Sequence, residues 1–310
     1  MQKNFMSEYF TFTEDAMDVP KNKWSEPIDI IERLINRLGE DFTKYPQISC
    51  QMTAYNDPGR LQVFAPSEQE GIYELQFLRL RQATPPEIAK HDGKLELLHL
   101  EEGDFIAESA SALFDRETKI FVLQRNYFGA NYSFISNYLN YLLHDDERKN
   151  LIHMIAQMDG KINLTSIFSR PIKSFSAKVA FEGEQLDINS SVYNFSKFRP
   201  TTVDFSVKVK KGKHRKLHEQ ETKDEISRLS NEHSTKMLKV KYLNEDDKPL
   251  VVDLLKNRMC DNFVLSDITK DKPSTHVDIY RELEKNYLAR VLNSRDVRFE
   301  ARRKFLNEHR

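Results

Sequence analysis

The sequence Asp115-Arg-Glu-Thr-Lys-Ile-Phe-Val-Leu-Gln124 joins a polar turn to an apolar run near the middle of this 310-residue chain. A short apolar run with β-branched and aromatic residues is typical of a buried strand, and a polar turn before it is typical of a hairpin. Together they predict half of a β-hairpin, and therefore an antiparallel sheet, in this part of the protein.

Helices and further strands follow from periodicity on both sides of that hairpin. Apolar residues recur at helical spacing after Pro27, in the segment 132–143 and after Val277, which predicts three amphipathic helices. Residues 219–232 are almost wholly polar and predict a helix that bridges solvent or pairs weakly with a partner. Strands are predicted at 9–13 (as an edge strand), 47–55, 61–65, 72–81, 162–168, 172–181, 202–209, 237–242 and, as a strand or a short helix, 250–255. We therefore expect an α+β fold of antiparallel sheets with packed helices, in two domains.

Charge is distributed unevenly along the chain. Residues 1–150 hold 16 Lys and Arg against 25 Asp and Glu, a net charge of −9, whereas residues 151–310 hold 31 against 23, a net charge of +8. We predict an acidic α+β domain over residues 1–148 and a basic α+β domain with a C-terminal helix over residues 149–310. The asymmetry predicts a polyanionic partner for the second half, or association of the two halves with each other.

The motifs present in the sequence, and those missing from it, argue against several classes of enzyme and metal protein. Cys50 and Cys260 are too few and too far apart for a zinc ribbon, an iron-sulfur site or a disulfide framework. No GxGxxG, Walker, HExxH or GxSxG pattern occurs, so we predict no catalytic residues, no cofactor and no metal site. The first residues lack the apolar segment of a signal peptide, and no apolar run reaches membrane-spanning length, which predicts a cytoplasmic protein.

A metal-dependent nuclease is the catalytic alternative. In such a site carboxylates hold Mg²⁺ and a lysine lies near the scissile phosphate, and Asp115, Glu117 and Lys119 supply these residue types. The three residues fall within one tight turn, whereas the chemistry needs the Asp and the Glu-Lys pair on separate strands. A hairpin turn is therefore the favoured interpretation.

The densest positive charge lies between Lys208 and Lys216, where six of nine residues are Lys or Arg. Gly212 allows a turn that presents these charges outward. Clustered cations neutralise backbone phosphates and release counterions, which gives salt-dependent binding without sequence preference. The predicted nucleic-acid contacts in this run are Lys208, Lys210, Lys211, Lys213, His214, Arg215 and Lys216. A solvated loop, or docking against the acidic half, is the alternative interpretation.

Three arginines near the C-terminus form a second basic group. Arg295, Arg298 and Arg302 lie at positions i, i+3 and i+7, so they share one face if the last helix continues past Ser294. Such a face can follow a phosphate backbone, or it can be a helix end where cations interact favourably with the dipole. We include all three among the predicted nucleic-acid contacts.

The order of these segments is similar to that of a known family. The strand, corner and helix begin at Lys119-Ile-Phe-Val-Leu-Gln-Arg-Asn-Tyr-Phe-Gly129, and Tyr73-Glu-Leu-Gln-Phe-Leu-Arg-Leu-Arg81 lies upstream. Downstream follow Ser169-Arg-Pro-Ile172, Ser176-Ala-Lys-Val179, the basic run and Met237-Leu-Lys-Val-Lys-Tyr-Leu243. Over residues 70–295 this order resembles the family of the phage lambda exclusion protein RexA, and more loosely the DNA-binding subunit of the Kiwa defence system.

The resemblance implies a two-domain homodimer that binds double-stranded DNA with little sequence preference and serves phage exclusion or another anti-phage response. It implies no catalytic residues, and it leaves open a membrane-protein partner from the same operon. Our leading hypothesis is a cytoplasmic, non-enzymatic, dimeric DNA-binding protein. A nuclease effector and a protein interaction module without a nucleic-acid partner are the alternatives.

Overall fold

The computed structural model forms two compact units. It describes residues 2–14, 26–39, 42, 47–52, 58–81, 87–101, 103–126, 128–143, 151–159, 167–180, 202–209, 216–231, 235–244, 246–266, 268–269 and 273–308. The first unit comprises Met1–Phe12, Pro27–Met154 and Asp261–Arg310, and the second comprises Thr13–Glu26 and Ile155–Cys260. The C-terminal segment thus belongs to the first unit, which differs from the predicted domain over residues 149–310.

The asymmetry of charge persists when it is counted by unit. The sequence of the first unit holds 25 Lys and Arg against 30 Asp and Glu, a net charge of −5. The sequence of the second unit holds 22 against 18, a net charge of +4. The second unit therefore remains the more basic of the two.

Both units contain strands and helices. The strands are β1 (Lys3–Glu14), β2 (Gly59–Pro66), β3 (Ile72–Arg81), β4 (Glu87–Ala89), β5 (Leu95–Leu97), β6 (Ile106–Asp115), β7 (Ile120–Gln124), β8 (Ile152–Ala156), β9 (Ile172–Ala180), β10 (Thr202–Lys208), β11 (Thr235–Leu243), β12 (Pro249–Asp253) and β13 (Cys260–Leu265). The helices are α1 (Ile30–Leu38), α2 (Tyr132–Leu142), α3 (Glu219–Asn231), α4 (His276–Asn293) and α5 (Glu300–Glu308). In the part of the chain that the structure describes, none of the helices is both long and apolar enough to cross a membrane. The mixed α+β fold with antiparallel sheets, predicted from the sequence, is confirmed.

A seven-stranded sheet forms the core of the first unit, in the order β13-β1-β7-β6-β3-β2, with β8 also paired to β1. The predicted hairpin is confirmed: β6 and β7 are antiparallel, with Asp115 opposite Ile120 across the turn. β1 is not the edge strand that the sequence predicted, because it lies between β7 and β13. Both faces of β1 are buried, which explains its unbroken run of buried residues from Ser7 to Thr13.

One face of this sheet is apolar. The register places Phe114 opposite Phe121, so their rings share a face. On the same face the Phe77 ring lies 6.0 Å from the ring of Tyr138 on α2. The Tyr138 hydroxyl also accepts from Leu61 N and donates to a backbone carbonyl, both at 2.8 Å. The helix predicted after Gly129 therefore packs on the sheet as its apolar stripe requires.

The opposite face carries polar side chains that the C-terminal helices cover. Asp115 on β6 contacts Tyr287 of α4 and Arg302 of α5. Tyr9 on β1 donates a hydrogen bond to Asp261. Burial and the neighbouring Asp261 charge raise the pKa of the Tyr9 hydroxyl well above its usual value. These contacts explain why the C-terminal segment belongs to the first unit.

A four-stranded antiparallel sheet forms the second unit, in the order β10-β9-β11-β12. Helix α3 packs against it through Ile226 and Leu229, which are both fully buried. The sequence predicted that this polar helix either bridges solvent or pairs weakly with a partner. The solvent bridge is wrong, because α3 packs on β9 and β11 and buries Ile226 and Leu229 there.

Two further predicted strands are not observed as strands: one contains a helical turn, and most of the other lies outside the described residues. Within the predicted strand 47–55, Gln47–Cys50 forms a turn of 3-10 helix. Cys50 in this turn is fully buried, and burial raises the pKa of its thiol to about 11. Most of the predicted strand 162–168 lies outside the described residues.

Candidate nucleic-acid interface

The structure describes the two ends of the basic run between Lys208 and Lys216. Lys208 is exposed at the end of β10, and Lys216 is exposed just before α3. Lys210, Lys211, Lys213, His214 and Arg215 lie outside the described residues. Of the seven predicted contacts in this run, the structure therefore gives the position and the exposure of Lys208 and Lys216.

Hydrogen bonds of the backbone fix both ends of the run to the start of β9. Val209 N donates to Lys173 O at 3.2 Å, and Leu217 N donates to Ile172 O at 3.0 Å. The end of β11 reaches the same place, because Leu243 N donates to Pro171 O at 3.1 Å. We call this part of the second unit the basic corner; its cationic residues are Arg170, Lys173, Lys208, Lys216 and Lys241.

Strand register extends the basic corner onto one face of the sheet. Lys208, Ser174 and Lys241 lie side by side on β10, β9 and β11. In the next row on the same face, Ser176 lies beside Lys239. Lys208, Lys239 and Lys241 are exposed, and among the described residues no carboxylate forms an ion pair with them. We call this surface the open face.

The two faces of the sheet differ because side chains alternate along a strand. The opposite face is buried and carries Phe175, Ala177 and Val240. These three residues alternate in the sequence with the serines of β9 and the lysines of β11, whose side chains lie on the open face. Two carboxylates also lie on the open face: Asp204, 3.7 Å from Lys178, and Asp253, opposite Lys239. The lysines outnumber them, so the open face is basic.

Sequence reasoning missed Lys239 and Lys241. The signal was present, because Leu238-Lys-Val-Lys241 alternates apolar and basic residues, which places both lysines on one face of a strand. The sequence did not indicate that β11 pairs with β9, and that pairing brings Lys241 into the same row as Lys208.

The three C-terminal arginines do not form the predicted face. Helix α4 ends at Asn293, and a 3-10 turn at Val297–Phe299 separates it from α5, so the continuous helix that the prediction needed is absent from this described segment. Arg295 is exposed, whereas Arg298 binds the carboxylate of Asp296 beside it. The prediction is wrong for Arg302, which is fully buried against Asp115.

Arg302 and Asp115 form a buried ion pair. The guanidinium donates from Nε and Nη2 to the two oxygens of Asp115, at 2.9 and 2.5 Å, and from Nη1 to Glu70 O at 2.7 Å. Burial favours the neutral guanidine, but the hydrogen bond and charge of Asp115 outweigh it and raise the pKa of Arg302. Asp115 also accepts from Tyr287, so both of its oxygens are occupied by protein groups.

The turn after Asp115 also contains the other two residues of the nuclease alternative, Glu117 and Lys119. Glu117 is exposed in the turn, while Lys119 donates to Asp29 at 3.0 Å. Arg116 binds the same Asp29 oxygen at 2.7 Å. Burial favours protonation of Asp29, but these hydrogen bonds outweigh it and lower its pKa. Asp115 and Lys119, two of the three residues that the nuclease alternative requires, are thus part of structural ion pairs.

A Ser-His-Glu arrangement also lies on the polar face of the first sheet. Ser111 Oγ lies 2.7 Å from Nδ1 of His276. On the other side of the ring, Nε2 of His276 lies 2.9 Å from Glu74 Oε1, but this contact does not have the geometry of a hydrogen bond. In serine hydrolases the serine meets Nε2 and the acid meets Nδ1, the reverse of this order. Ser111 is fully buried, so we assign the arrangement to the packing of α4.

The fold and the open face together define a two-unit α+β protein with a basic β-sheet surface. Residues 1–299 match the model of a family of unknown function, DUF6731, and the chain belongs to this family. No curated protein matches the chain.

Proposed function

We propose that this protein binds double-stranded DNA without catalysis and with little sequence preference, through the open face of the second unit. The observation that carries the proposal is the row of Lys208, Ser174 and Lys241, continued by Lys239. Three exposed cations on one flat surface are what binding to a regular array of phosphates requires.

The spacing of these lysines suits a phosphate backbone. Lys208 and Lys241 lie on strands that flank β9, so about two strand spacings, roughly 10 Å, separate them. Lys239 and Lys241 are two residues apart on β11, roughly 7 Å. Between the lysines, Ser174 and Ser176 are short enough to let a phosphate approach the sheet, and their hydroxyls can donate to its oxygens.

Lysine contacts to phosphate explain why we expect little sequence preference. An ammonium group is a compact point charge that recognises a phosphate irrespective of the neighbouring base. The basic corner adds Arg170 and Lys173 to the same region. The predicted contacts Lys210, Lys211, Lys213, His214 and Arg215 connect to this corner along the chain, since Val209 and Leu217 are both bonded to β9.

The cellular role in the proposal comes from the resemblance to the RexA family. We infer a cytoplasmic homodimer that acts in phage exclusion or another anti-phage response. A membrane-protein partner from the same operon belongs to the same inference. DNA binding is the part of the proposal that the geometry of the open face supports.

The test is replacement of Lys208, Lys239 and Lys241 by Ala in one variant. We expect binding to labelled duplex DNA to weaken at least tenfold, which is roughly 1.4 kcal/mol or more in total, and the salt dependence to fall by about one unit of slope for each lysine. The measurement is a titration at several salt concentrations, with and without Mg²⁺, in which binding and strand cleavage are both recorded.

A variant with the same change of net charge serves as the control. Lys94, Lys285 and Lys304 of the first unit are exposed to about three quarters, at 75%, 72% and 76%. Their replacement by Ala should leave DNA binding close to that of the native protein. An equal loss in both variants would show that overall charge, not the open face, binds DNA. Cleavage that requires Mg²⁺ would support the nuclease instead, and no binding at low salt would leave a protein interaction module.

A further inference from the structure

Strand β10 forms one edge of the second sheet, and among the described residues it pairs only with β9. Its register with β9 runs through seven consecutive pairs, from Thr202 to Lys208, without a bulge. A regular edge strand presents a row of unpaired N–H and C=O groups, which is a template for a further strand. Proteins commonly block such an edge with a proline or a bulge.

Two other edge strands have features of this kind. β2 has a shift of register between Leu61 and Val63, and it ends with Pro66. β12 begins with Pro249, which has no N–H to donate. Between Thr202 and Lys208, all of which the structure describes, β10 has neither feature. The outer edge of β10 is therefore open to pairing.

The hydrogen bonds between β10 and β9 show which residues of β10 face outward. Val209 N donates to Lys173 O at 3.2 Å, and this pair continues the register of the two strands. In an antiparallel strand, residues that exchange hydrogen bonds with one neighbour alternate with residues that face away from it. Asp204, Ser206 and Lys208 therefore direct their N–H and C=O groups to the outer edge.

Side chains of β10 are exposed on both faces of the sheet. Phe205 and Val207 lie on the face that α3 packs against, but α3 lies on β9 and β11 rather than on β10. Phe205 is half-buried, and Val207 is 40% exposed. Asp204 and Lys208 are exposed on the open face. A strand that pairs with β10 must therefore offer apolar residues on one face and complementary charges on the other.

We propose that β10 pairs antiparallel with β10 of a second copy of this chain, about a two-fold axis at Ser206. The inference rests on the proposed function, because it assigns an interface to the homodimer proposed for this protein. An axis at Ser206 places Asp204 opposite Lys208 of the second copy, and Phe205 opposite Val207 of the second copy. Opposite charges, and pairs of an aromatic with a β-branched residue, both stabilise neighbouring strands. The sequence of β10 is thus complementary to itself.

Neighbouring registers do not have this match. An axis at Asp204 or at Lys208 brings two like charges opposite each other, which is destabilising. An axis at Phe205 places Asp204 opposite Ser206 and Lys208 opposite Thr202, so neither charge meets an opposite charge. Charge complementarity therefore selects the axis at Ser206.

The pairing joins two four-stranded sheets into one continuous sheet. Opposite residues of paired strands lie on the same face, so the open faces of both copies lie on the same side. Asp204 then lies between Lys178 of its own chain, 3.7 Å away, and Lys208 of the second copy. Two lysines share this carboxylate, so the joined surface remains basic and offers DNA a longer array of cations.

The experiment measures association of the full chain by analytical ultracentrifugation over a range of protein concentrations. We expect the native protein to be a dimer at micromolar concentrations. Ser206→Pro removes an N–H that faces outward and leaves the hydrogen bonds to β9 in place. Dimerisation should weaken about a hundredfold, because each copy loses a donor and a proline ring enters the junction. Ser206→Ala keeps the N–H and is the matched control, which should dimerise as the native protein does.

An exchange of charges tests the register. Asp204→Lys places lysines opposite each other at two symmetric positions and should weaken dimerisation at least tenfold. Lys208→Asp in the Asp204→Lys background restores the pair with its charges exchanged, and should restore dimerisation. The control is Asp246→Lys, which makes the same change of charge at an exposed position in the β11–β12 turn, away from the β10 edge. Circular dichroism of each variant checks that it is folded.

The outcomes separate this interface from the proposed function. A native protein that stays monomeric overturns both the homodimer and the interface. A dimer that Ser206→Pro leaves intact overturns the β10 interface and leaves a homodimer through another surface. Failure of the exchanged charges to restore dimerisation overturns the register at Ser206. A dimer that responds as expected but does not bind labelled duplex DNA overturns the proposed DNA binding and supports this interface.

Discussion

Replacement of Arg302 by Met lowers the free energy of unfolding of the first unit by about 3–5 kcal/mol. Arg302 and Asp115 are both fully buried, and no other described cation binds Asp115. The substitution leaves the carboxylate in a low-dielectric environment with only Tyr287 and a backbone N–H as donors. Desolvation of an unpaired charge outweighs the gain from the apolar Met side chain.

Equilibrium urea denaturation followed by circular dichroism measures this loss, and hydrogen exchange of the β3, β6 and β7 amides assigns it to the first unit. Arg298→Met is the matched control. Its partner Asp296 is two residues away and partly exposed, so we expect a cost of about 1 kcal/mol or less. Equal losses in the two variants would contradict the importance of burial for the Arg302 pair.

A second substitution should rescue the first. Asp115→Asn in the Arg302→Met background removes the unpaired charge. Its single amide oxygen can keep the hydrogen bond from Glu117 N, and its NH2 group can donate to the hydroxyl oxygen of Tyr287, which lies beside the other Asp115 oxygen. We expect most of the lost stability to return. The doubly substituted protein should also bind DNA as the native protein does, because neither residue lies on the open face. A loss of binding in the folded double variant would restore Arg302 to the DNA contacts.

Replacement of Gly59 by Ala destabilises the first unit by about 3 kcal/mol. A Cβ atom at this position would lie 2.1 Å from Cζ of Phe134 and 2.6 Å from Leu78 O. The Phe134 ring can shift only with α2, and the Leu78 carbonyl is part of the paired strand β3. The start of β2 therefore has to move away from the sheet.

The control for Gly59 is Gly93→Ala in the β4–β5 turn. Gly93 has a φ of +83° and no atom within 4 Å of an added Cβ, so only backbone strain of about 1–2 kcal/mol applies there. Urea denaturation should show the larger loss for Gly59→Ala, and hydrogen exchange should show faster exchange in β2 and β3. Native-like protection of β2 in Gly59→Ala would contradict the close contact with Phe134.

Much of the fold follows from local sequence. The turn after Asp115, the strand to Gln124 and the helix from Tyr132 are as predicted, because each depends on the spacing of neighbouring residues. The edge position predicted for the first strand is wrong. Its pairing with β13 joins residues about 250 positions apart, and no local pattern encodes such a partner.

In the candidate site, too, local sequence predicted some features correctly and others wrongly. Lys208 and Lys216 are exposed, as the density of charge in their run indicated. Arg302 also belongs to a basic segment, yet it is buried, because α5 packs onto the sheet and places its guanidinium against Asp115. Charge in a sequence window therefore indicates a surface only where the tertiary structure leaves the side chain exposed.

The sequence alone determined the α+β class, the hairpin at Asp115 and the positive charge of the second half, because these depend on composition and on periods of two and 3.6 residues. Tertiary structure alone decided that β11 lies beside β9, that Lys241 joins Lys208 in one row, and that the last fifty residues belong to the first unit. Pairing of distant strands depends on the shape and burial of whole faces, and that information is not contained in any single segment.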